Sequence, residues 1–198
     1  MKSVGVLISG RGSNLQALID AQSALGAYAI RRVISNIEGA YGLERARVAG
    51  VEAQTIPHKG KERSAFEREV SAALEGCELV ALAGFMRVLT PFFVSAWADK
   101  ILNIHPSLLP AFPGRDTHAR ALAAGVKVHG CTVHIVTEAL DDGPIIGQAA
   151  VPVLPGDTPE ALDARVLEAE HALYPRALAA FAKGDPAVLE KPLLSAWR

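Results

Sequence analysis

Val4-Gly5-Val6-Leu7-Ile8 is an unbroken apolar run, and Gly10-Arg11-Gly12-Ser13-Asn14 follows it at once. A strand without polar alternation has to be covered on both faces, which places it in a sheet with helices on either side. After the glycines, Leu15, Ala17, Leu18 and Ile19 recur at helical spacing. The same alternation continues: residues 30–35, 53–56 and 79–83 read as strands, and residues 42–48, 62–74 and 91–97 as helices. Strands alternating with helices predict an α/β fold, a Rossmann-like and mostly parallel sheet flanked by helices, with right-handed crossovers.

A further strand ends in Asn103-Ile104-His105-Pro106-Ser107-Leu108-Leu109-Pro110, with Pro113 and Gly114 close behind. Proline fixes φ and lacks an N–H, so the segment past His105 continues neither a helix nor a central strand. Side chains two apart on a strand share a face, so Asn103 and His105 aim at one point. The pair joins an amide donor to a group that titrates near neutral pH, at a strand end, where open parallel sheets bind ligands. A satisfied structural histidine beside a strand-ending asparagine is the plainer reading of the same residues. The spacing of strands and loops puts Gly12, Gly84 and His105 on one edge of the sheet.

The glycine loop has the geometry that gathers backbone N–H groups and a helix N-terminus around an anion. Ser13 and Asn14 are both good N-cap residues. The dinucleotide fingerprint fails, because Leu15 stands where its third glycine belongs, so one phosphate fits better than a pyrophosphate. A tight turn capped by Ser13 accounts for the loop equally well. In Gly84-Phe85-Met86-Arg87-Val88-Leu89, the Phe and Met are either ordinary core or the mouth of an apolar pocket that accepts a flat ring. Arg63, near a helix start, is either a solvated charge or the partner of a ligand carboxylate.

Past the prolines, residues 118–124 read as a short helix. Residues 127–136 and 145–153 read as strands joined through Asp141-Asp142-Gly143-Pro144, turn chemistry that predicts antiparallel strands at the C-terminal end of the sheet. His129 and Cys131 fall on one strand face and His134 on the other, so no metal site is expected. Residues 159–182 read as a long helix carrying Glu168, Glu170 and His171. Thr158 is its expected N-cap, Pro159 its first residue, and Pro175 is expected to kink it.

At 198 residues the chain is expected to form a single domain, residues 1–198. A formal net charge of −1 gives no global field for nucleic acid or an anionic membrane. The run at residues 4–8 is too short for a signal peptide or a membrane span. Cys77 and Cys131 are too few for a disulfide framework, so a cytoplasmic setting is expected.

The sequence also resembles a known family, the folate-dependent formyltransferases, and within it the glycinamide ribonucleotide branch. The residues that carry the resemblance are Ser9-Gly10-Arg11-Gly12-Ser13-Asn14-Leu15, Gly84-Phe85-Met86-Arg87, the run from Leu102 to Pro110, Asp141 with Gly143, and Glu170-His171 with Pro175. The resemblance implies an enzyme of purine biosynthesis that moves the formyl group of 10-formyltetrahydrofolate to the primary amine of glycinamide ribonucleotide. It implies that Gly12, Ser13 and Asn14 hold the ribose phosphate and that Glu170 binds the ribose hydroxyls. Met86, Arg87, Val88 and Leu89 would line the pterin pocket beside Asn103. Thr137, Glu138, Ala139, Leu140 and Asp141 would close its other side, and Arg63 would meet the benzoyl-glutamate end. Asn103, His105 and Asp141 would be catalytic. Amine attack on a formyl carbon builds an oxyanion, to which Asn103 and a protonated His105 are suitable donors. Asp141, or a water that it holds, is suited to favouring the charged imidazole and taking the amine proton. Asp142 is the neighbouring candidate, and a simple turn role for Asp141 stays open.

The chain departs from the family pattern at Asp116, where many members carry His. Arg11 either adds positive charge to the phosphate loop or faces solvent. Three rivals remain: a formyltransferase acting on methionyl-tRNA, a non-catalytic folate- or nucleotide-binding module, and a hydrolase that releases formate.

Overall fold

The computed structural model describes residues 1–184 and the backbone of Leu193–Ala196. Its elements run β1 (Lys2–Ile8), α1 (Ser13–Leu25), β2 (Tyr28–Ser35), α2 (Tyr41–Val48), β3 (Glu52–Thr55), α3 (Arg63–Ala73) and β4 (Leu79–Leu82). Then come α4 (Pro91–Ala96), β5 (Ile101–His105), α5 (Thr117–Ala123), β6 (Val128–Ile135), β7 (Ile145–Pro152), α6 (Pro159–Ala182) and β8 (Leu193–Ala196). The expected elements are all present, with ends shifted by a residue or two. The strands form one eight-stranded sheet in the order β3-β2-β1-β4-β5-β6-β7-β8. β1 to β5 pair in parallel, β6 is antiparallel to β5 and to β7, and β8 returns parallel to β7. The order reverses beside β1, so the loops after β1 and β4 diverge at a switch point on the C-terminal edge.

Each face of the sheet has its own core. On one face Leu15 and Leu18 of α1, Leu43 of α2, Ala121 of α5 and Leu162, Val166 and Leu173 of α6 pack on Val4, Val6, Leu102 and Val133. On the other face Phe66 and Val70 of α3 and Phe93 of α4 pack on Leu7, Ile34, Val80 and Ile101. Burying a side chain of this kind contributes about 1.5–3 kcal/mol relative to leaving it exposed. Alternation along β5 divides the strand: Leu102 and Ile104 join the first core, whereas Ile101 faces the second. Asn103 and His105 therefore lie on the α3/α4 face.

α6 ties the halves of the sheet together. The hydroxyl of Tyr174, fully buried, lies 3.1 Å from the Leu82 carbonyl and 3.2 Å from that of Leu102, fastening the helix to β4 and β5 at once. Thr158 caps the helix as expected, accepting the Ala161 N–H at 3.2 Å. Pro175 sits buried inside α6 and does not end it. Proline removes the bond to the His171 carbonyl, but the buried neighbours Leu173, Tyr174 and Ala177 hold the turn against the sheet.

Candidate active site

The end of β5 assembles four polar side chains. His105 Nδ1 lies 3.5 Å from Asp141 Oδ2, and His134 Nε2 lies 3.8 Å from Asp141 Oδ1. Asn103 Nδ2 lies 3.2 Å from His134 Nε2, its register partner across the β5–β6 ladder. An amide nitrogen only donates, so His134 Nε2 accepts and its ring hydrogen sits on Nδ1, 3.0 Å from the Ile135 carbonyl. Burial pushes the His134 pKa down against the opposing pull of that carbonyl and of Asp141. His134 is thus a neutral acceptor that orients Asn103, whose second N–H stays available.

His105 is oriented from its other nitrogen. Its Nε2 lies 3.1 Å from the Phe112 carbonyl, which only accepts, so Nε2 carries a hydrogen and Nδ1 is the nitrogen that faces Asp141. The segment past His105 is held rigidly enough to keep that carbonyl in place. Thr132 Oγ1 donates to the Ser107 carbonyl at 2.7 Å and accepts from Leu109 N at 3.0 Å, and Gln148 Nε2 donates to the Leu109 carbonyl at 2.9 Å. Ser107 Oγ closes the turn on the Ala111 carbonyl at 2.6 Å.

Asp141 reaches this point because residues 136–144 fold back over the α3/α4 face of the sheet. β6 runs antiparallel to β5, so Ile135 stands beside Leu102, away from His105. The Ile135 N–H bonds the Pro144 carbonyl at 2.9 Å, and a Cβ on Gly143 would come within 1.8 Å of the Ile135 carbonyl oxygen. Only glycine permits that approach. Asp141 itself adopts φ 52°, a left-handed conformation that aspartate tolerates better than most residues. Its Oδ2 also accepts the Gly114 N–H at 2.8 Å, and its side chain is 9% exposed. Asp142 is exposed. Thr137 Oγ1 bonds the Ala139 carbonyl at 3.3 Å within this loop, while Glu138 and Leu140 are exposed.

The glycine loop follows β1 on the same edge. The expected side-chain caps are absent: the N-cap of α1 is Gly12, at φ 71°, with no side-chain cap bond, and Ser13 is the first helical residue. The left-handed turn needs glycine, so the helix starts one residue before the capping side chains and its first N–H groups are left for a ligand. A Cβ on Gly12 would stand 2.6 Å from Gly42 Cα. α2 also grips the loop through Gly42 N to the Gly10 carbonyl at 3.0 Å and Arg45 Nε to the Arg11 carbonyl at 3.0 Å, leaving the Arg11 side chain exposed. Asn14 Nδ2 donates to Glu170 Oε2 at 2.7 Å, so α6 meets the loop directly. Asn14 Oδ1 is buried and has no partner among the described residues. Burial raises the Glu170 pKa to about 7 despite the Asn14 bond, which lowers it. Gly12→Ala combines a strained φ with that backbone clash and is expected to raise the KM of a phosphate-bearing substrate at least roughly tenfold. Steady-state kinetics with a phosphate-bearing substrate check it; an unchanged KM would remove the loop from phosphate binding.

The loop after β4 lies at the switch point. Glu67 on α3 is 3% exposed and bonds both Thr90 N, at 2.9 Å, and Thr90 Oγ1, anchoring the loop's far end. Met86 and Val88 are 71% and 54% exposed, and Leu140, next to Asp141 in the chain, is 59% exposed. Apolar side chains left in water beside a polar cluster suit a flat, partly apolar ligand. Leu89 packs on the α3/α4 core. The Arg87 guanidinium lies 5.6 Å from the centroid of the Phe66 ring, one helical turn from Arg63, which is exposed and makes no ion pair among the described residues.

His134 is the polar site residue that the sequence does not single out: its pairing with Asn103 depends on the β5–β6 register, which no local pattern carries. His129 lies on the opposite face, as expected, with its ring 5.3 Å from that of His118 and its pKa pushed down to about 4 by burial and by His118. Asp116 is exposed, at φ 55°, at the start of α5 with no cap bond. Among the described residues no three His, Cys, Asp or Glu side chains are grouped to hold a metal ion, and no helix is long and apolar enough to cross a membrane.

Known proteins agree with this architecture. The formyl transferase family matches residues 1–178. The phosphoribosylglycinamide formyltransferase of Escherichia coli (strain K12) is 49% identical over 186 residues, covering 92% of this chain and 88% of that protein. The trifunctional purine biosynthetic protein adenosine-3 of Drosophila pseudoobscura pseudoobscura is 53% identical over 189 residues, 92% of this chain, and this chain spans only 14% of its length. The crystal structure of glycinamide ribonucleotide transformylase 1 from Symbiobacterium toebii superposes with a TM-score of 0.90 at 51% identity, covering 93% of this chain and 89% of that one. A family match over residues 1–178, with half the residues identical over nine-tenths of the chain, means that this chain belongs to the formyl transferase family.

Proposed function

We propose that this chain, as one formyltransferase domain, transfers the formyl group of 10-formyltetrahydrofolate to the primary amine of glycinamide ribonucleotide, a step of de novo purine synthesis. The observation that carries the reading is the convergence of Asn103, His105 and Asp141 at the end of β5, between a phosphate-loop geometry after β1 and an exposed apolar loop after β4. A cytoplasmic setting fits the two free thiols, Cys77 and Cys131.

The residues present fit both ligands. Uncapped N–H groups at Ser13 and Asn14 suit a phosphate, and the buried carboxylate of Glu170 suits a ribose diol. Met86, Val88 and Leu140 offer apolar contact for a pterin, and Arg63 with Arg87 offers positive charge for a glutamate tail. The donor supplies an acyl carbon already activated on nitrogen. The amine nitrogen bonds to that carbon, the bond to the folate nitrogen breaks, and the amine proton ends on the folate nitrogen. Asn103 offers its free N–H, and protonated His105 its Nδ1–H, to the oxygen on which negative charge gathers. At 3.5 Å Asp141 stabilises the imidazolium without fully engaging that hydrogen. Asp141 or a water beside it takes the amine proton and passes it on toward the departing folate nitrogen. No covalent enzyme intermediate is needed, and Cys131, buried with its thiol pKa raised, stays outside the chemistry.

The test is the absorbance change of folate deformylation, recorded with and without glycinamide ribonucleotide. Deformylation that requires the ribonucleotide is the expected result. Formate release without it would make the protein a hydrolase, and turnover of neither mixture would overturn the reading.

A further inference from the structure

We propose that Ser9, backed by Asn36 and His58, is a positioning residue that sets the folate-side loop against the phosphate loop; this rests on the function proposed above. Four chain segments leave the C-terminal edge of the sheet beside one another, after β3, β2, β1 and β4, and a polar side chain or backbone group from each joins a single relay. The Ser9 N–H bonds the Gly84 carbonyl at 3.1 Å. Ser9 Oγ accepts the Met86 N–H at 2.9 Å and donates to Asn36 Oδ1 at 2.6 Å. Asn36 is 4% exposed, and its Nδ2 lies 3.1 Å from His58 Nδ1.

A backbone N–H only donates, so the Ser9 oxygen accepts from Met86 while its hydrogen lies toward Asn36 Oδ1. His58 Nδ1 also lies 3.0 Å from the Asn36 backbone carbonyl, so the imidazole holds Asn36 by its side chain or its backbone according to the ring tautomer. The relay then returns to the same loop by a second route: the His58 ring meets the Phe66 ring edge-on at 6.3 Å between centroids, and Arg87 lies over Phe66. Met86 and Arg87 are thereby anchored as neighbours, one through its backbone and one through its side chain. Ser9 is also the residue that leads into Gly10-Arg11-Gly12. One hydroxyl therefore ties the entrance of the phosphate loop to the loop proposed to bind the formyl donor, and neither ligand needs to touch it.

Ser9→Ala is expected to raise the KM for 10-formyltetrahydrofolate roughly tenfold, the effect of one lost hydrogen-bond partner to the buried Asn36 and to the Met86 N–H. The KM for glycinamide ribonucleotide should stay within about threefold, and Ser9→Thr, which keeps the hydroxyl, should return the folate KM toward wild type. Asn36→Ala should raise the folate KM similarly, and the double variant little further, because both changes disorder the same hydroxyl. A residue that served stability alone would lower the folded fraction, and with it the apparent kcat, and would leave both KM values where they are. Ser9→Cys, of nearly the same size, provides the comparison if the alanine variant does not fold. An unchanged folate KM, an equal rise in both KM values, or failure of threonine to rescue would overturn the assignment. Wild-type turnover in the same assay separates that outcome from failure of the proposed reaction.

Discussion

His105→Ala should lower kcat by roughly two to three orders of magnitude while both KM values stay within a few-fold of wild type. The magnitude is that of one lost donor to a developing oxyanion, roughly 2.7–4 kcal/mol. The imidazole is 7% exposed, fixed through Nε2 by the Phe112 carbonyl, and presents Nδ1 toward Asp141, so in the proposed mechanism removing it takes away a donor that no neighbour replaces. His134 cannot substitute, because its Nε2 already accepts from Asn103.

Asp141→Asn is expected to match that loss. An asparagine oxygen can still accept the Gly114 N–H, so the loop stays in place, but the charge that favours the imidazolium is gone. The two residues act as one unit, so the double variant should be hardly slower than the slower single variant. Rapid-quench measurement of the chemical step, with ligand affinities determined separately, checks both claims. Either variant turning over near the wild-type rate would remove its residue from the mechanism.

Much of the architecture follows from features visible in a one-dimensional string. Unbroken apolar runs announce buried strands, and Pro106, Pro110 and Pro113 mark where β5 ends. The turn residues before Pro144 announce antiparallel pairing. Local chemistry fails where a long-range contact decides. Ser13 is a good capping residue in isolation, yet Gly12 takes the cap position because α2 presses its Gly42 against the loop.

The site divides along the same line. Asn103 and His105 share a strand face by alternation alone, and Glu170 enters through family resemblance. Placing Asp141 rather than Asp142 against two imidazoles requires the path of residues 136–144 back over the sheet. His134 requires the register of β6, and Ser9, Asn36 and His58 require the order of four strands. No periodicity within a segment encodes those relations.

Glu170→Gln should make the protein more stable at pH 8 and worse at binding its ribonucleotide. Glu170 is 6% exposed, and burial raises its pKa from 4.5 to about 7. The native state therefore holds the proton more tightly than the unfolded chain. At or below pH 4.5 the burial costs little; the penalty grows as pH rises and is complete above pH 7. A shift of this size corresponds to about 3 kcal/mol of stability forgone at pH 8. Glutamine is neutral throughout and can still accept the Asn14 N–H, so its advantage should be about that size at pH 8 and vanish near pH 4.5. In its proposed role the ionised carboxylate would accept hydroxyl hydrogens that a neutral amide accepts weakly. Losing one charge-assisted bond of about 1.5–3 kcal/mol should weaken ribonucleotide binding roughly ten- to a hundredfold. Melting curves from pH 5 to 8 and calorimetric titration at pH 8 read the two effects independently. Equal stability at pH 8 would show that Glu170 is not buried as a carboxylate, and equal affinity would place the ribose elsewhere.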